Sequence, residues 1–171
     1  MTREKLVTTS SEKEISLTKS GLTEAESILR RHRLAERLAV DVLKVDLKRA
    51  HEEAHRLEHA FSPYLESRVV DILGHPTTCP FGHPIPGSNY VSNNSSVSLN
   101  KAKVGHDYLV DMLPEDDMEL LGYFVDNDFL PGAHIQITDL SNSRGVITLK
   151  LGNKELVFSM GISNLIRVTP A

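Results

Sequence analysis

The sequence predicts an α+β protein in which a helical amino-terminal part is followed by a small β-barrel of the SH3-like kind. Three observations support this prediction. Apolar residues recur at helical spacing in the first half of the chain. A loop rich in proline and glycine follows, and then the polar linker SNYVSNNSS, with a domain boundary near residue 92. The remaining residues form short alternating runs punctuated by glycine, as in small β domains.

The amino-terminal elements begin with KLVTTSSEKEISLT, whose two short β-type runs flank a polar Ser-Ser-Glu-Lys turn and predict a small hairpin. The loop GHPTTCPFGHPIPG, which ends this part, excludes regular structure because it contains four prolines and three glycines. Between them, cap residues and apolar spacing predict three helices: from Leu22 to Leu43 after a Thr18 or Ser20 cap, from the Asp46 cap to about Ala60, and from Pro63 after a Ser62 cap until Gly74.

The carboxy-terminal elements are mostly strands. PEDDMELLGYFVDND predicts one short helix, and the strand candidates AHIQITDL, GVITLKL and ELVFSM follow it. GNK predicts a tight hairpin turn between the last two strands. This pattern favours a small barrel over a helical domain.

Composition and charge narrow the possible functions. The 40% hydrophobic and 25% charged content is typical of a globular protein in water. The single cysteine, Cys79, excludes an internal disulfide, so the cytoplasm is the expected location. No apolar run approaches the roughly 20 residues that span a bilayer, so no membrane association is expected. Residues 1–50 carry a net charge of +3, which is too small to predict nucleic-acid binding by itself.

The most informative stretch is HEEAHRLEHAF, which starts at His51 and matches two zinc-protease patterns, H-E-x-x-H and H-x-x-E-H. A second pair of ligand-type residues, His32 and Glu36, stands four residues apart on the preceding helix, so its members are side by side. The potential ligands of the stretch itself share one face of the second helix, and they are His51, His55, Glu58 and His59.

Helix geometry limits how these residues can share an ion. His51 and His59 are separated by about 12 Å of axial rise, whereas two nitrogens on one metal can be only about 4 Å apart. Either His51 pairs with His55, as in a zinc protease with Glu52 as general base, or His55 joins Glu58 and His59. In the second case His51 turns away from His55, toward the ligand-type pair on the preceding helix. A charged, solvated helix face is the interpretation without metal.

Two segments, RRHRLAERLAVDVLKVDLKRAHEEAHRLEHAFSP and PFGHPIPG, closely resemble the diphtheria toxin repressor family of iron- and manganese-dependent regulators. The resemblance runs from about Arg3 to the end of the chain and is most specific between Arg31 and Gly87. It implies a winged helix-turn-helix, middle helices that dimerise and bind metal, and a carboxy-terminal SH3-like (FeoA-like) domain.

The resemblance also implies two metal sites. It assigns the family's primary regulatory site to His55, Glu58 and His59, and its ancillary site to His32, Glu36 and His51. The family's SH3-like domain adds ligands, for which Asp117 is the best candidate and Glu119 the next. The implied ion is Fe(II) or Mn(II), with Zn, Co or Ni as further possibilities. At position 55 the family more often has cysteine or glutamate, and a neutral imidazole suits Fe(II), Zn, Ni or Co better than Mn.

Two departures from the family's pattern bear on function. The family's anion pocket corresponds to Arg33 and positions 79 and 83, where Cys79 and His83 stand in place of the usual serine and asparagine. KLVTTSSEKEISLT corresponds to the wing, so the helix-turn-helix with its recognition helix is expected to be absent from these 171 residues. A wing can contact phosphates but cannot read base edges by itself.

The expected function is therefore a metal-dependent transcriptional repressor without enzymatic activity, which forms a homodimer through apolar residues of 22–43 and 64–73. It would bind operator DNA if the native protein carries the helix-turn-helix. The alternatives are a metal-sensing and dimerisation module that does not bind DNA and, third, a zinc hydrolase using HEEAH. The expected domains are a winged-helix remnant (1–20), a helical metal-binding and dimerisation domain (21–87), a linker (88–96) and an SH3-like domain (97–171).

Overall fold

A hairpin and three helices build the amino-terminal part of the chain. The computed structural model describes residues 6–10 and 13–171. Strands β1 (Val7–Thr9) and β2 (Ile15–Leu17) pair antiparallel, which confirms the predicted hairpin. Ser11 and Glu12 of the predicted turn lie outside the described residues.

Helix α1 (Lys19–Arg37) begins at Thr18, whose hydroxyl accepts a hydrogen bond from the Gly21 N–H. Gly21 lies directly against the hairpin, because a Cβ there would come within 1.9 Å of the Leu6 carbonyl oxygen. The helix continues as a π-helical turn over Leu38–Val42. The prediction of a helix from 22 to 43 is confirmed, although its last turn is wider than α-helical.

The next helix, α2 (Leu47–Leu57), begins at Asp46, whose carboxylate accepts from the Lys48 N–H. A 3₁₀ turn over Glu58–Ala60 extends it. The predicted helix from Asp46 to about Ala60 is therefore confirmed, and its last three residues, which include two candidate ligands, lie in the tighter turn.

Helix α3 (Pro63–Ile72) has the predicted Ser62 cap and first-turn proline. After Gly74, the chain forms the proline-rich loop 74–87, which contains an isolated β-bridge between Thr78 and Pro84 and a hydrogen bond from the Gly82 N–H to the Cys79 carbonyl. The loop passes from the helices to the carboxy-terminal part.

Six antiparallel strands and two short helices build the carboxy-terminal part. Helix α4 (Met118–Asp126) connects β4 to β5, and α5 (Met160–Leu165) connects β7 to β8. In hydrogen-bonding order, the strands are β3 (Val97–Ser98), β8 (Arg167–Pro170), β4 (Asp107–Met112), β5 (His134–Ser141), β6 (Val146–Leu151) and β7 (Lys154–Ser159). This arrangement confirms the mixed helix-and-sheet class.

The structure adds elements that the sequence did not predict. Strands β5, β6, β7 and helix α4 lie close to their predicted positions, but β3, β4, β8 and α5 were not predicted. The predicted last strand, ELVFSM, ends one residue early, because the Ser159 hydroxyl accepts from the Ile162 N–H and starts α5. Each of the missed strands β4 and β8 is completed by a partner distant in sequence.

Each part has its own apolar core. The helical core contains Leu34, Ala35, Ala54, Phe61, Val69 and Ile85. The sheet core is larger and includes the aromatic side chains of Phe124, Phe129 and Phe158, which contact one another. The described helices all lack the length and apolarity needed to cross a bilayer.

The proline-rich loop joins the two parts closely. The Leu113 N–H donates to the Phe81 carbonyl at 3.0 Å. Gly82 has a φ of +92°, and a Cβ there would lie 2.0 Å from the Asp111 carbonyl oxygen. Glycine is required at this position, since both the backbone conformation and the close approach exclude a side chain.

Candidate metal centre

Two adjacent helices carry most of the candidate ligands. His32 and Glu36 lie one turn apart on α1, and His51 and His55 lie one turn apart on α2. His32 and Glu36 are buried, whereas His55 is exposed. An open cavity of about 520 Å³ adjoins the group and is lined partly by His32, His51, His55 and Glu58. The centre is therefore buried on one side and open on the other.

His32, His51 and His55 form what we term the histidine cluster, in which one ring nitrogen from each lies within 4.8 Å of the others. His32 Nε2 is 3.2 Å from His51 Nδ1, and His51 Nε2 is 3.2 Å from His55 Nε2. Two nitrogens bound to one ion through bonds of about 2.0 to 2.1 Å are about 2.9 to 3.4 Å apart. His32 Nε2 and His51 Nδ1 are therefore at the separation of two ligands of one ion. The contact of His55 is with the other nitrogen of His51, so a single ion bound by all three rings requires His55 to move closer.

Glu58, the first residue of the 3₁₀ turn, contacts the histidine cluster. Its Oε2 is 2.7 Å from His32 Nδ1, and its Oε1 is 3.7 Å from His55 Nδ1 and 3.3 Å from His59 Nε2. The three residues of the expected primary site thus lie next to one another, with Glu58 buried and His59 exposed. Burial lowers the pKa of His32, but the contacts with Glu36 and Glu58 outweigh it and raise that pKa above its ordinary value.

The position of His51 differs in one respect from expectation. Its Nδ1 lies 3.0 Å from Glu36 Oε1, in agreement with the expected ancillary grouping. Its Nε2, however, contacts His55, so His51 does not turn away from that residue. The two expected sites meet at His51 and His55, and their division into separate ions stays a prediction.

Glu36 is fully buried. Its Oε1 faces His51 and His32, at 3.0 and 3.3 Å, and its Oε2 has no hydrogen-bond partner within the described chain. Burial alone would raise the pKa of Glu36, but hydrogen bonds from His32 and His51 lower it to about 2, so the carboxylate is ionised. A buried, ionised oxygen without a partner is unfavourable unless a cation binds it, which fits a metal ligand.

Glu36 also belongs to a second group with Cys79 and Glu115, which we term the carboxylate–thiol cluster. One potential ligand atom from each lies within 4.8 Å of the others. The Cys79 thiol donates to Glu115 Oε2 at a sulfur–oxygen distance of 3.7 Å. Burial, together with the charges of Glu36 and Glu115, raises the pKa of Cys79, so the sulfur carries its proton here.

The residues of the expected anion pocket, Arg33, Cys79 and His83, all surround Glu115. Arg33 Nη2 is 3.5 Å from Glu115 Oε1, and His83 Nε2 is 3.7 Å from Glu115 Oε2. The chain's own carboxylate therefore faces Arg33. Binding of a free anion at this place stays a prediction.

The carboxylate that the carboxy-terminal part brings to the centre is Glu115, which sequence reasoning missed. Asp117 instead caps α4, since its Oδ1 accepts from the N–H groups of Glu119 and Leu120. The acidic run Glu115-Asp116-Asp117 before α4 was the available signal in the sequence. Since Asp117 is used as the cap, the residues before it are the better candidates for a contact with the helical part. The structure therefore does not bring Asp117 into either cluster.

Glu52, the general base of the protease interpretation, forms an ion pair with Arg56 on the same helix. Its side chain is 53% exposed. The converging ligand atoms come instead from its neighbours His51 and His55. In this arrangement Glu52 has the environment of a surface carboxylate.

Comparison with known proteins identifies the family. Residues 18–87 match the family described as "Iron dependent repressor, metal binding and dimerisation domain", and residues 97–170 match the FeoA domain. The iron-dependent repressor IdeR of Mycobacterium leprae is 31% identical over an alignment that covers 98% of this chain and 78% of that protein. The chain belongs to the iron-dependent repressor family. The resemblance to diphtheria toxin repressors is thereby confirmed, and so is the SH3-like nature of the carboxy-terminal sheet.

Solved structures of iron-dependent repressor relatives support the same assignment. A manganese-dependent transcriptional repressor in complex with manganese superposes with a TM-score of 0.83 at 27% identity, over 97% of this chain and 78% of that one. ScaR with bound Zn²⁺ gives a TM-score of 0.80 at 26% identity, over 100% of this chain and 87% of that one. Relatives of this chain thus bind different divalent ions.

Proposed function

We propose that this chain is a transition-metal-dependent transcriptional regulator, a repressor that responds to ions of the Fe(II) or Mn(II) type in metal homeostasis. The convergence of His32, His51 and His55 within 4.8 Å carries the proposal. Proteins of the same family are named as iron-dependent or manganese-dependent repressors. The mixture of imidazole and carboxylate groups also suits Zn, Co and Ni, so geometry and supply decide among them.

An ion at this centre would connect three elements of the helical part. His32 and Glu36 come from α1, His51 and His55 from α2, and Glu58 from the 3₁₀ turn. An ion that binds one packing of these elements better than another shifts the population toward that packing. In our proposal His55, Glu58 and His59 sense the ion, while His32, Glu36 and His51 fix the packing of the two helices.

The helical part also offers a surface for a homodimer. Several large apolar side chains of this part are exposed in the single chain: Leu22, Leu29, Val42, Leu43, Tyr64, Leu65 and Ile72. Apolar side chains exposed in this number favour a protein partner. A two-fold symmetric contact between copies of the chain would cover them on both subunits.

We further propose the domain division 1–20, 21–87, 88–96 and 97–171, with hairpin β1–β2 as the wing of a winged-helix domain. The hairpin strands have three residues each, and a wing of this kind can contact phosphates but does not read base edges without a recognition helix. Operator DNA is therefore a partner if a recognition helix accompanies the wing in the native protein.

An electrophoretic mobility shift assay with promoter DNA tests the function. For a native protein in which a recognition helix accompanies the wing, we expect a shift that requires added Fe(II) or Mn(II) and disappears with a chelator. A chain that binds the ion but gives no metal-dependent shift would instead be a metal-sensing and dimerisation module without direct DNA binding.

Metal titration of single variants tests the centre. We expect His55→Ala and His32→Ala to remove different binding events if the two proposed sites are separate. His106→Ala, an exposed histidine of the carboxy-terminal part, is the control and should bind as the parent does. Loss of the same event in both cluster variants would contradict the division into two sites.

A further inference from the structure

We propose that the carboxylate–thiol cluster is a second metal site, which takes a thiophilic divalent ion such as Zn(II) or Co(II) through Glu36, Cys79 and Glu115. The proposal goes beyond the regulator function, because it assigns a sulfur ligand at a position where the family usually has serine. The two proposals share Glu36, and the experiment below separates their failures.

The distances of the cluster suit an ion with one sulfur and two oxygen ligands. Zinc bonds of about 2.3 Å to sulfur and about 2.0 to 2.2 Å to oxygen place these two atoms about 3.6 Å apart in a tetrahedral site. Cys79 Sγ and Glu115 Oε2 are 3.7 Å apart, and a carboxylate oxygen of Glu36 lies within 4.8 Å of both residues' ligand atoms. Only small side-chain adjustments are needed to close the site.

A second observation points to a ligand at the same place. Glu36 is 0% exposed, and its Oε2 makes no hydrogen bond in the part of the chain that the structure describes. The other oxygen, Oε1, is already engaged by His32 and His51. Glu36 can therefore offer one oxygen to each cluster, and the unpartnered oxygen is the one left for an ion at Cys79.

The charges around the cluster also favour a divalent cation. Glu36, Glu115 and the thiolate form of Cys79 would supply three negative charges, and Arg33 beside Glu115 supplies one positive charge. The remaining two negative charges equal the charge of one divalent ion. As the metal–sulfur bond forms, the Cys79 proton leaves to solvent, which is the usual consequence of metal binding by a thiol.

Neighbouring groups hold the ligands without competing for the ion. His83 Nε2 donates to the Leu113 carbonyl at 2.6 Å, so this nitrogen is not free to bind metal. Arg33 Nη1 donates to the Pro84 carbonyl at 2.5 Å, which fixes its guanidinium near Glu115. Three protein ligands leave the fourth position of a tetrahedral ion for water.

Cobalt titration of the full chain tests the proposal, because Co(II) bound to a thiolate gives a sulfur-to-cobalt charge-transfer band in the near ultraviolet. The chain has one cysteine, so this band reports Cys79. We expect the band in the parent protein and its loss in Cys79→Ser, which retains the side chain's size. Circular dichroism and thermal unfolding show whether that variant is folded. We expect Glu115→Gln to weaken the band.

A third variant separates the two clusters. We expect His55→Ala to lose binding at the histidine cluster while it keeps the charge-transfer band. Cobalt binding without the band in the folded parent protein would overturn the second site and leave the histidine cluster intact. A band that persists in Cys79→Ser, or that disappears in His55→Ala along with all cobalt binding, would also overturn an independent site at Cys79.

Discussion

The helical part and the SH3-like part of this protein bury different kinds of side chains. The SH3-like part has a core of fifteen buried apolar residues, and its buried polar residues are neutral: Ser98, Ser163 and Thr169. The helical part has a core of six buried apolar residues and buries four ionisable side chains: His32, Arg33, Glu36 and Glu58. Apolar burial stabilises a domain outright, whereas buried charges do so only when they are paired.

The two parts therefore differ in how far their own residues satisfy their buried and exposed groups. The larger core of the SH3-like part consists of its own residues, and Leu121 of α4 packs separately against Phe81 and Leu47 of the helical part. The helical part leaves apolar side chains exposed on its outside and an unpartnered carboxylate oxygen inside. A second subunit and a metal ion are the partners that would satisfy these two needs.

The largest expected effect is in the core of the SH3-like part. Phe124→Ala removes a fully buried ring from the aromatic group of the sheet core. We expect it to lower the free energy of unfolding by about 3 to 5 kcal/mol, measured by chemical denaturation. Leu165→Ala, at a half-exposed position, is the control and should change it by less than about 0.5 kcal/mol. Equal losses for the two variants would contradict a core of this kind.

The next effect concerns how the stability of the metal-free protein, kept so by a chelator, depends on the buried carboxylate of Glu36. The pKa of Glu36 is lowered from 4.5 to about 2 on folding. The ionised carboxylate therefore contributes fully to the free energy of unfolding above pH 4.5, and this contribution is lost as pH falls toward 2. The loss amounts to about 3 kcal/mol. We expect Glu36→Gln to lack this part of the acid sensitivity, as measured by denaturation at several pH values. Glu155→Gln, an exposed carboxylate of the sheet, should retain it.

A metal ion should stabilise the helical part selectively. At an ion concentration about 100 times the dissociation constant, binding adds about 2.7 kcal/mol to the free energy of unfolding. We expect thermal unfolding to show this gain in the parent protein and in His106→Ala. His55→Ala should lose the part of the gain that comes from ligation by His55 and keep any part that comes from an ion at the carboxylate–thiol cluster. A gain in His55→Ala as large as that in the parent protein would contradict metal binding by His55.

The contact between the two parts should be sensitive at Gly82. Gly82→Ala forces a Cβ against the Asp111 carbonyl, in addition to the strain of its positive φ. Gly132→Ala is a matched control, because its φ of +87° is similar but no atom lies within 4 Å. We expect Gly82→Ala to be less stable than the control by roughly 1 to 3 kcal/mol in denaturation. No difference between them would mean that the loop and the sheet can separate freely.

The smallest effect is expected at Glu52. Glu52→Gln removes one member of an exposed ion pair with Arg56. We expect no measurable change in stability or in metal titration, and no peptide hydrolysis by either protein. Hydrolysis of a peptide library by the parent protein that is lost in this variant would instead support the zinc hydrolase interpretation.

The sequence predicted elements that depend on local signals. The helix caps at Thr18, Asp46 and Ser62 each act within three residues, so the three helices begin where expected. Strands β5 to β7 were also predicted, because neighbouring strands and short turns connect them. Strands β4 and β8 were missed, since residues 107–112 pair with residues 167–170, far along the chain.

The candidate site shows the same distinction. The residues on α1 and α2 were predicted from helical spacing and from the family resemblance, and the structure brings His32, His51 and His55 together. Glu115 was missed, because only the docking of the sheet onto the proline-rich loop brings it to Cys79 and Glu36. Recognising Asp117 as the helix cap could have excluded it as a metal ligand. The proximity of Glu115 to Glu36 depends on tertiary packing, which no local sequence pattern reports.

The separation of the ligands along the chain has a consequence for biosynthesis. The histidine cluster is complete once the helical part, whose core ends at Ile85, has folded, whereas the carboxylate–thiol cluster must wait for residue 115 and for the close approach of Gly82 to Asp111. Because domains generally fold from the amino terminus during synthesis, the first cluster forms on the nascent chain before the second exists. The order of synthesis therefore exposes the nitrogen-rich centre to the cell's metal supply earlier than the sulfur-containing one.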